Sequence, residues 1–184
     1  MKKGIIALII VAVLVVIYGF ATYNSLVTYS VAADTQWQQV ETHYQRRFDL
    51  IPNLVASVRG IMDQEQEVFT AIADARTRYS GATTPDEKAA AAGRVESALG
   101  RLLVITENYP QLKSSETVQT LMSQLEGTEN RISTERMRFN EAVQAYNLKV
   151  MRIPSSIIAA ITGFDERAYF EADEAAATAP QVNL

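Results

Sequence analysis

The sequence predicts an all-α protein: an N-terminal transmembrane helix followed by an elongated antiparallel helical bundle with long helices. Three observations predict it. An uncharged run opens the chain, apolar residues then recur three and four apart over long stretches, and no stretch alternates apolar and polar residues as a strand would.

The opening run extends from Gly4 to Thr22 without a charged side chain. At ~1.5 Å per helical residue it spans ~28 Å, about the thickness of a bilayer core. A cleaved signal peptide shares some of these features, with Lys2 and Lys3 as its basic end and Gly19-Phe20-Ala21 as a small-x-small cleavage site. An uncleaved anchor is the favoured reading, because the run exceeds a signal core, Tyr18 and Phe20 suit an interface, and the helical pattern continues beyond it. Lys2 and Lys3 precede the run and the next basic residue is Arg46, which predicts a cytoplasmic N-terminus and a large extracytoplasmic (periplasmic) domain in a single-pass cytoplasmic-membrane protein. The domain reading is an anchor over 1–22, a helical bundle over 23–170 and a mobile acidic, alanine-rich tail over 171–184.

Beyond Thr22 lie 15 of the 17 basic residues and all 21 acidic ones, a formal charge of −6. That balance argues against a nucleic-acid partner, which needs clustered cationic surface, and leaves lipid contact to residues 4–22. The chain has no cysteine, which fits an extracytoplasmic domain but suits other compartments too.

Trp37, Val40, Tyr44, Phe48 and Ile51 continue the first helix at three- and four-residue steps. Pro52 lacks an amide donor and its ring opposes the carbonyl of Phe48, so a kink or break is expected between Leu50 and Asn53. A second helix is then read along the heptad stripe Leu54, Val58, Ile61, Glu65, Val68, Ile72, Ala75 and Tyr79. Ser80 to Thr84 reads as a loop. Thr84 as N-cap, Pro85 at the first helical position and Asp86 and Glu87 in the first turn open a third helix, with Ala92, Val95, Leu99, Leu102 and Thr106 inward, until Asn108-Tyr109-Pro110 ends it. A fourth helix is expected from about Ser114 to Lys149, its inner stripe running Val118, Leu121, Leu125, Thr128, Ile132, Glu135, Phe139, Val143, Tyr146 and Val150. Pro154 stops it. Ser155 is placed to cap a short apolar helix through Ile161, closed by Gly163.

Four stretches then stand out together: Arg46-Arg47-Phe48-Asp49-Leu50-Ile51-Pro52-Asn53-Leu54, Glu107-Asn108-Tyr109-Pro110, Glu126-Gly127-Thr128-Glu129-Asn130-Arg131-Ile132, and Phe139-Asn140-Glu141-Ala142-Val143 with Tyr146-Asn147. With these in order from the anchor through about Phe170, the chain closely resembles the LemA family. The resemblance implies a bacterial membrane-anchored helical bundle with no assigned enzymatic activity. It also implies relatives associated with magnetosome membranes, for which a part in shaping invaginations is suggested, and gene neighbours encoding membrane proteases. Family descriptions that put the large domain in the cytoplasm conflict with the charge reading given above.

The residues singled out as structural or assembly candidates are Arg46, Arg47, Asp49, Pro52, Asn53, Glu107, Asn108, Tyr109, Pro110, Glu129, Asn130, Arg131, Asn140, Tyr146 and Asn147. Around Pro52 they could form a docking surface, since guanidinium groups bind carboxylates or phosphates bidentately. The favoured reading is structural, with Asp49 and Asn53 satisfying backbone groups freed by Pro52 and the arginines pairing with acids on another helix. Along the fourth helix, polar residues near the seam fix register and partner choice. Phe164, Tyr169 and Phe170 are read as docking onto the bundle in preference to forming an exposed patch.

No catalytic, cofactor-binding or metal-binding residues are nominated. A di-iron bundle needs Glu-x-x-His on two helices, whereas His43 is the one histidine and Val40 stands three residues before it. No cofactor is expected and the chain is read as non-enzymatic. The functional expectation is a self-associating envelope scaffold, a homo-oligomer, with membrane shaping as its extension. An adaptor or regulator of an envelope enzyme or protease is the alternative.

Overall fold

The apolar run does not end in a linker; it continues as one helix into packed structure. In the computed structural model, which describes residues 2–62 and 65–170, α1 spans Lys2–Arg59 without interruption. It is followed by α2 (Gln66–Gly81), α3 (Pro85–Thr106), the single turn α4 (Pro110–Lys113), α5 (Glu116–Met151) and α6 (Ser155–Thr162). Among the described residues there is no strand, so the all-α expectation holds. The expected tail, residues 171–184, lies outside the described residues.

From Ile5 to Tyr18 every large apolar side chain of α1 is exposed. By length and composition this helix can cross a bilayer, its most apolar window reaching a mean hydropathy of 2.9. Burial begins at Thr22 and then follows the helical repeat through Leu26, Ala33, Val40, Tyr44, Phe48, Ile51, Leu54 and Val58.

Of the kink or break expected at Pro52, the break does not occur, and α1 continues through it. Its ring is exposed, while Phe48, Ile51, Leu54 and Val58 on either side of it are buried. An interior proline costs ~3 kcal/mol, whereas each of those side chains gains ~1.5–3 kcal/mol on burial, so packing outweighs the lost backbone bond. The break comes one heptad later. α1 ends at Arg59, Gly60 weakens the helix, and the amides of Ile61 and Met62 both donate to the Val58 carbonyl at 3.0 Å.

The stripe read as one helix from Leu54 to Tyr79 is therefore divided between α1 and α2. Ile61 is exposed, and its neighbour Met62 takes the buried place. Glu65, the charged member of the stripe, lies in the connection and its carboxylate accepts from the Tyr109 hydroxyl at 3.5 Å.

α3 opens as its start signals predict. The Glu87 amide donates to Thr84 Oγ1, and the Glu87 carboxylate accepts from the amides of Thr83 and Thr84 at 2.9 and 3.2 Å, a complete capping box. These donors hold the Glu87 carboxyl below its ordinary pKa. The inner stripe of α3 is buried at all its expected positions. On α5, Leu121 and Glu135 are half-buried and the other expected inner positions are buried. Ser155 does not cap α6: it is the first helical residue, and its hydroxyl donates to the carbonyls of Lys149 and Arg152, both at 2.7 Å. Gly163, at φ 76°, closes α6 in the left-handed region that glycine adopts without strain.

The described chain divides into two packed units. One combines residues 2–38 with Met137–Tyr169, and the other combines Gln39–Arg136 with Phe170. In the second unit Tyr79 packs against Phe48 and Tyr44, with ring centroids 4.2 and 5.8 Å apart. Among the described residues its buried hydroxyl has no hydrogen-bond partner. Burial first, then the charges of Glu41 and Tyr44, raise its pKa far above the ordinary 10.0. A tyrosine is neutral when protonated, so the resulting stability is fully present below pH ~10 and is lost as pH rises from there through the folded pKa. Tyr79→Phe is expected to leave stability at pH 7 unchanged or up to ~1 kcal/mol higher and to move alkaline unfolding to higher pH. Circular dichroism from pH 7 to 12 checks this, and a clear loss at pH 7 would show that the hydroxyl is satisfied.

Candidate functional site

Two sets of polar side chains bond separate elements together, one in each unit, and both are built on α1 and α5. In the unit of residues 39–136, Glu41, Tyr44 and Arg47 project from successive turns of α1. Arg47, although cationic, is 6% exposed and forms an ion pair with Glu129 of α5. The fully buried Tyr44 hydroxyl accepts from Arg136 Nε and Nη2 at 3.0 and 2.7 Å. Glu41 pairs with Lys88 of α3. From Tyr44 to Arg47 the α5 partner moves back from 136 to 129, so the two helices run antiparallel there. Arg136 also lies 4.4 Å from the ring centroid of Phe170. Burial raises the Tyr44 pKa despite the opposing pull of the Arg136 charge, so at neutral pH the contact joins a neutral phenol to a guanidinium.

In the other unit, Tyr146 and Asn147 hold the chain that follows α6. The Tyr146 hydroxyl donates to the Asp165 carbonyl at 2.9 Å. Asn147 is 2% exposed; its Nδ2 donates to the Arg167 carbonyl at 2.8 Å and its Oδ1 accepts the Arg167 amide at 2.9 Å. Arg167 in turn reaches α1, giving Asp34 a two-pronged pair at 2.6 and 3.2 Å and donating to Ser30 Oγ at 2.9 Å. Its guanidinium stands 5.0 Å from the Tyr146 ring centroid. Beneath this lattice Leu26, Tyr146, Val150 and Ala159 form an apolar cluster, with Ile158 and Phe164 packed against it.

The candidates read from sequence separate into these two sets and an exposed remainder. Arg47, Glu129, Tyr146 and Asn147 are at the centre. Arg46, Pro52, Asn130 and Arg131 are exposed, and Asn140 is half-buried. Asp49 is exposed and its carboxylate accepts from Gln45 at 3.0 Å. Asn53 is exposed and its carbonyl accepts from Ser57 at 2.8 Å. Glu107 and Asn108 form the exposed turn after α3, Tyr109 is half-buried and Pro110 starts α4. Glu107 also borders an open groove of about 500 Å³ lined by Val104, Leu112, Lys113, Val118 and Met122. Of the terminal aromatics, Phe164 packs edge-on against Tyr23 at 5.8 Å and Tyr169 is exposed.

Sequence reasoning missed Asp34, Ser30, Arg136 and Arg167. Arg136 had a signal, since it lies four residues after the buried Ile132 on the inner stripe of α5. Arg167 and Asp34 had none, because neither lies on an apolar stripe and each finds its partner 133 residues away along the chain. The two sets fasten helices and a chain segment by charge-assisted bonds. Among the described residues no group of three or more His, Asp or Glu side chains converges in a way that could hold a metal ion.

Residues 36–184 match the LemA family description. Two magnetosome proteins of Paramagnetospirillum magneticum, MamQ 1 and MamQ 2, are each 30% identical to the chain over 90% of its length and 72% of theirs. The magnetosome protein MamQ of Magnetospirillum gryphiswaldense is 28% identical over 92% of the chain and 74% of its own.

Proposed function

The chain belongs to the LemA family, and from that premise we propose that it is a membrane-anchored, non-enzymatic scaffold that self-associates in the bacterial envelope. The observation that carries this reading is the continuity of α1. The exposed apolar run passes directly into Leu26 and Ala33, which are buried, with no linker between them. Copies sharing a bilayer therefore meet with restricted orientation and raised effective concentration, so individually weak lateral contacts suffice to build an assembly. The similarity to magnetosome proteins supports a role at a membrane, and shaping that membrane is the extension of the same reading.

In this reading α1 crosses the cytoplasmic membrane once and residues beyond it are periplasmic, as Lys2 and Lys3 favour. Protease added to intact spheroplasts is expected to digest the domain; full protection would reverse the orientation.

The scaffold is tested by light scattering and electron microscopy on the full-length protein in mild detergent, beside a version lacking residues 1–22. A large regular particle that disappears without the anchor is expected. Monomers in both preparations would sink the scaffold and favour an adaptor for an envelope enzyme or protease. Exposed Arg46 and Arg131 suit that second role, since guanidinium groups recognise carboxylates on a partner. Crosslinking in cells separates the two: self-crosslinks support the scaffold, and one stoichiometric foreign partner supports the adaptor.

A further inference from the structure

α6 has one apolar side too many for a helix that merely closes a core. Its inner residues Ile158 and Ala159 join the cluster around Leu26, while Ile157 and Ile161, one turn apart on its outer side, are 57% and 76% exposed, and Ile153 just before it is 83% exposed. From Ile153 to Phe164 no side chain carries a charge. Isolated exposed isoleucines are ordinary on a soluble surface, but three on one eight-residue helix and its lead-in form a patch.

The position of α6 says what covers that patch. A side-chain carbon at Gly19 would meet Ile158 Cδ1 at 3.9 Å, and Phe164 packs on Tyr23. Gly19 and Tyr23 bracket the place where the exposed apolar run ends at Phe20 and burial begins at Thr22, so α6 lies beside the end of that run. The backbone of α6 is also prepared for little water. Pro154 has no amide proton, the Ser156 amide donates to the Arg152 carbonyl at 2.8 Å, the Ile157 amide donates to the Pro154 carbonyl at 3.3 Å, and the Phe164 amide donates to the Ala159 carbonyl at 3.0 Å. The Ser155 and Thr162 hydroxyls are likewise turned onto carbonyls. These amides and hydroxyls, which would resist entry into lipid if free, are thus already bonded within the protein.

We propose that α6 is a second membrane element, a short helix lying in the boundary between headgroups and acyl chains beside α1, with Ile153, Ile157 and Ile161 in lipid. This rests on the reading of α1 as a membrane span. Arg152 ends the charged stretch before the patch and can extend its guanidinium to headgroup phosphates, while Asp165 and Glu166 resume the water-facing sequence after Phe164. The protein then grips one leaflet at two points, the span and the apolar side of α6, and the Arg167 lattice ties the chain after α6 back to α1.

The absence of cysteine makes the test direct. Full-length Ile157→Cys and Ile161→Cys, with Val13→Cys as the lipid reference and Gln144→Cys as the water reference, are spin-labelled and reconstituted in phosphatidylethanolamine–phosphatidylglycerol vesicles. Collision rates with oxygen and with a water-soluble nickel chelate are then compared. Labels at 157 and 161 are expected to collide with oxygen several-fold more than with nickel, as at Val13. Collision with nickel matching that at Gln144 would overturn the proposal. Protection from both reagents would show a second copy covering the patch, and would overturn it too. A Val13 label open to nickel would remove the span itself, and the proposal with it; a lipid-exposed Val13 label with water-exposed labels on α6 defeats the proposal alone.

Discussion

Replacing Glu129 with alanine is expected to lower the melting temperature of the full-length protein by roughly 5–10 °C, read by circular dichroism in mild detergent. Arg47 is 6% exposed, and Glu129 supplies its ion pair. Deleting one partner of a buried pair costs ~3–5 kcal/mol because a charge is left buried and uncompensated. The Glu129 side chain is itself 31% exposed, so water repays part of the loss and the expected cost falls to ~2–3 kcal/mol. At ~2–4 °C per kcal/mol for a chain of this size, that gives the stated shift. The double substitution Arg47→Met with Glu129→Leu is expected to recover most of the loss, since a packed apolar pair replaces an ion pair at little net cost. An unchanged melting temperature in Glu129→Ala would mean that Arg47 reaches solvent or another acid.

The second large effect is expected at Asn147. Asn147→Ala removes both bonds that hold the Arg167 backbone, leaving an amide and a carbonyl with no donor or acceptor in their place. Each unsatisfied group costs ~1–3 kcal/mol, so a loss of ~2–4 kcal/mol is expected, confined at first to residues 164–169. Hydrogen exchange should show those amides exchanging at least tenfold faster while α3 is unaffected. Arg167→Lys is the companion variant: it keeps the charge but loses the two-pronged contact with Asp34, and is expected to fall between wild type and Asn147→Ala. Equal protection of residues 164–169 in all three proteins would show that Phe164 packing alone holds the segment.

Most of the architecture was legible because it follows local rules. The Thr84-Pro85-Asp86-Glu87 start and the inner stripes of α3 and α5 need no knowledge of distant residues. Pro52 misled because its local cost is real, yet it is set against burial on both sides that a local reading cannot weigh. The stripe from Leu54 to Tyr79 misled for the opposite reason. Apolar spacing persisted across a turn, and a residue at the expected step, Ile61, was exposed while Met62 went inward. Tyr146 and Asn147 were legible as a motif but their purpose was not. Their partner Arg167 lies 20 residues beyond Asn147, and its own partner Asp34 lies 133 residues before it. No periodicity reports a contact at that range.

That long separation sets the order in which the protein can be completed. Residues 39–136 hold their internal contacts within one continuous stretch, whereas the unit containing the apolar run draws on both residues 2–38 and Met137–Tyr169. Contacts between distant segments form late, because the intervening chain must first be closed into a loop. On the ribosome, α1 emerges before α5 and α6, and under the proposed reading it enters the bilayer at once, but Leu26 and Asp34 have to wait for Val150 and Arg167. Under that same reading, a chain released before Arg167 is expected to be inserted yet unfinished, with part of α1 uncovered for quality-control proteases to recognise.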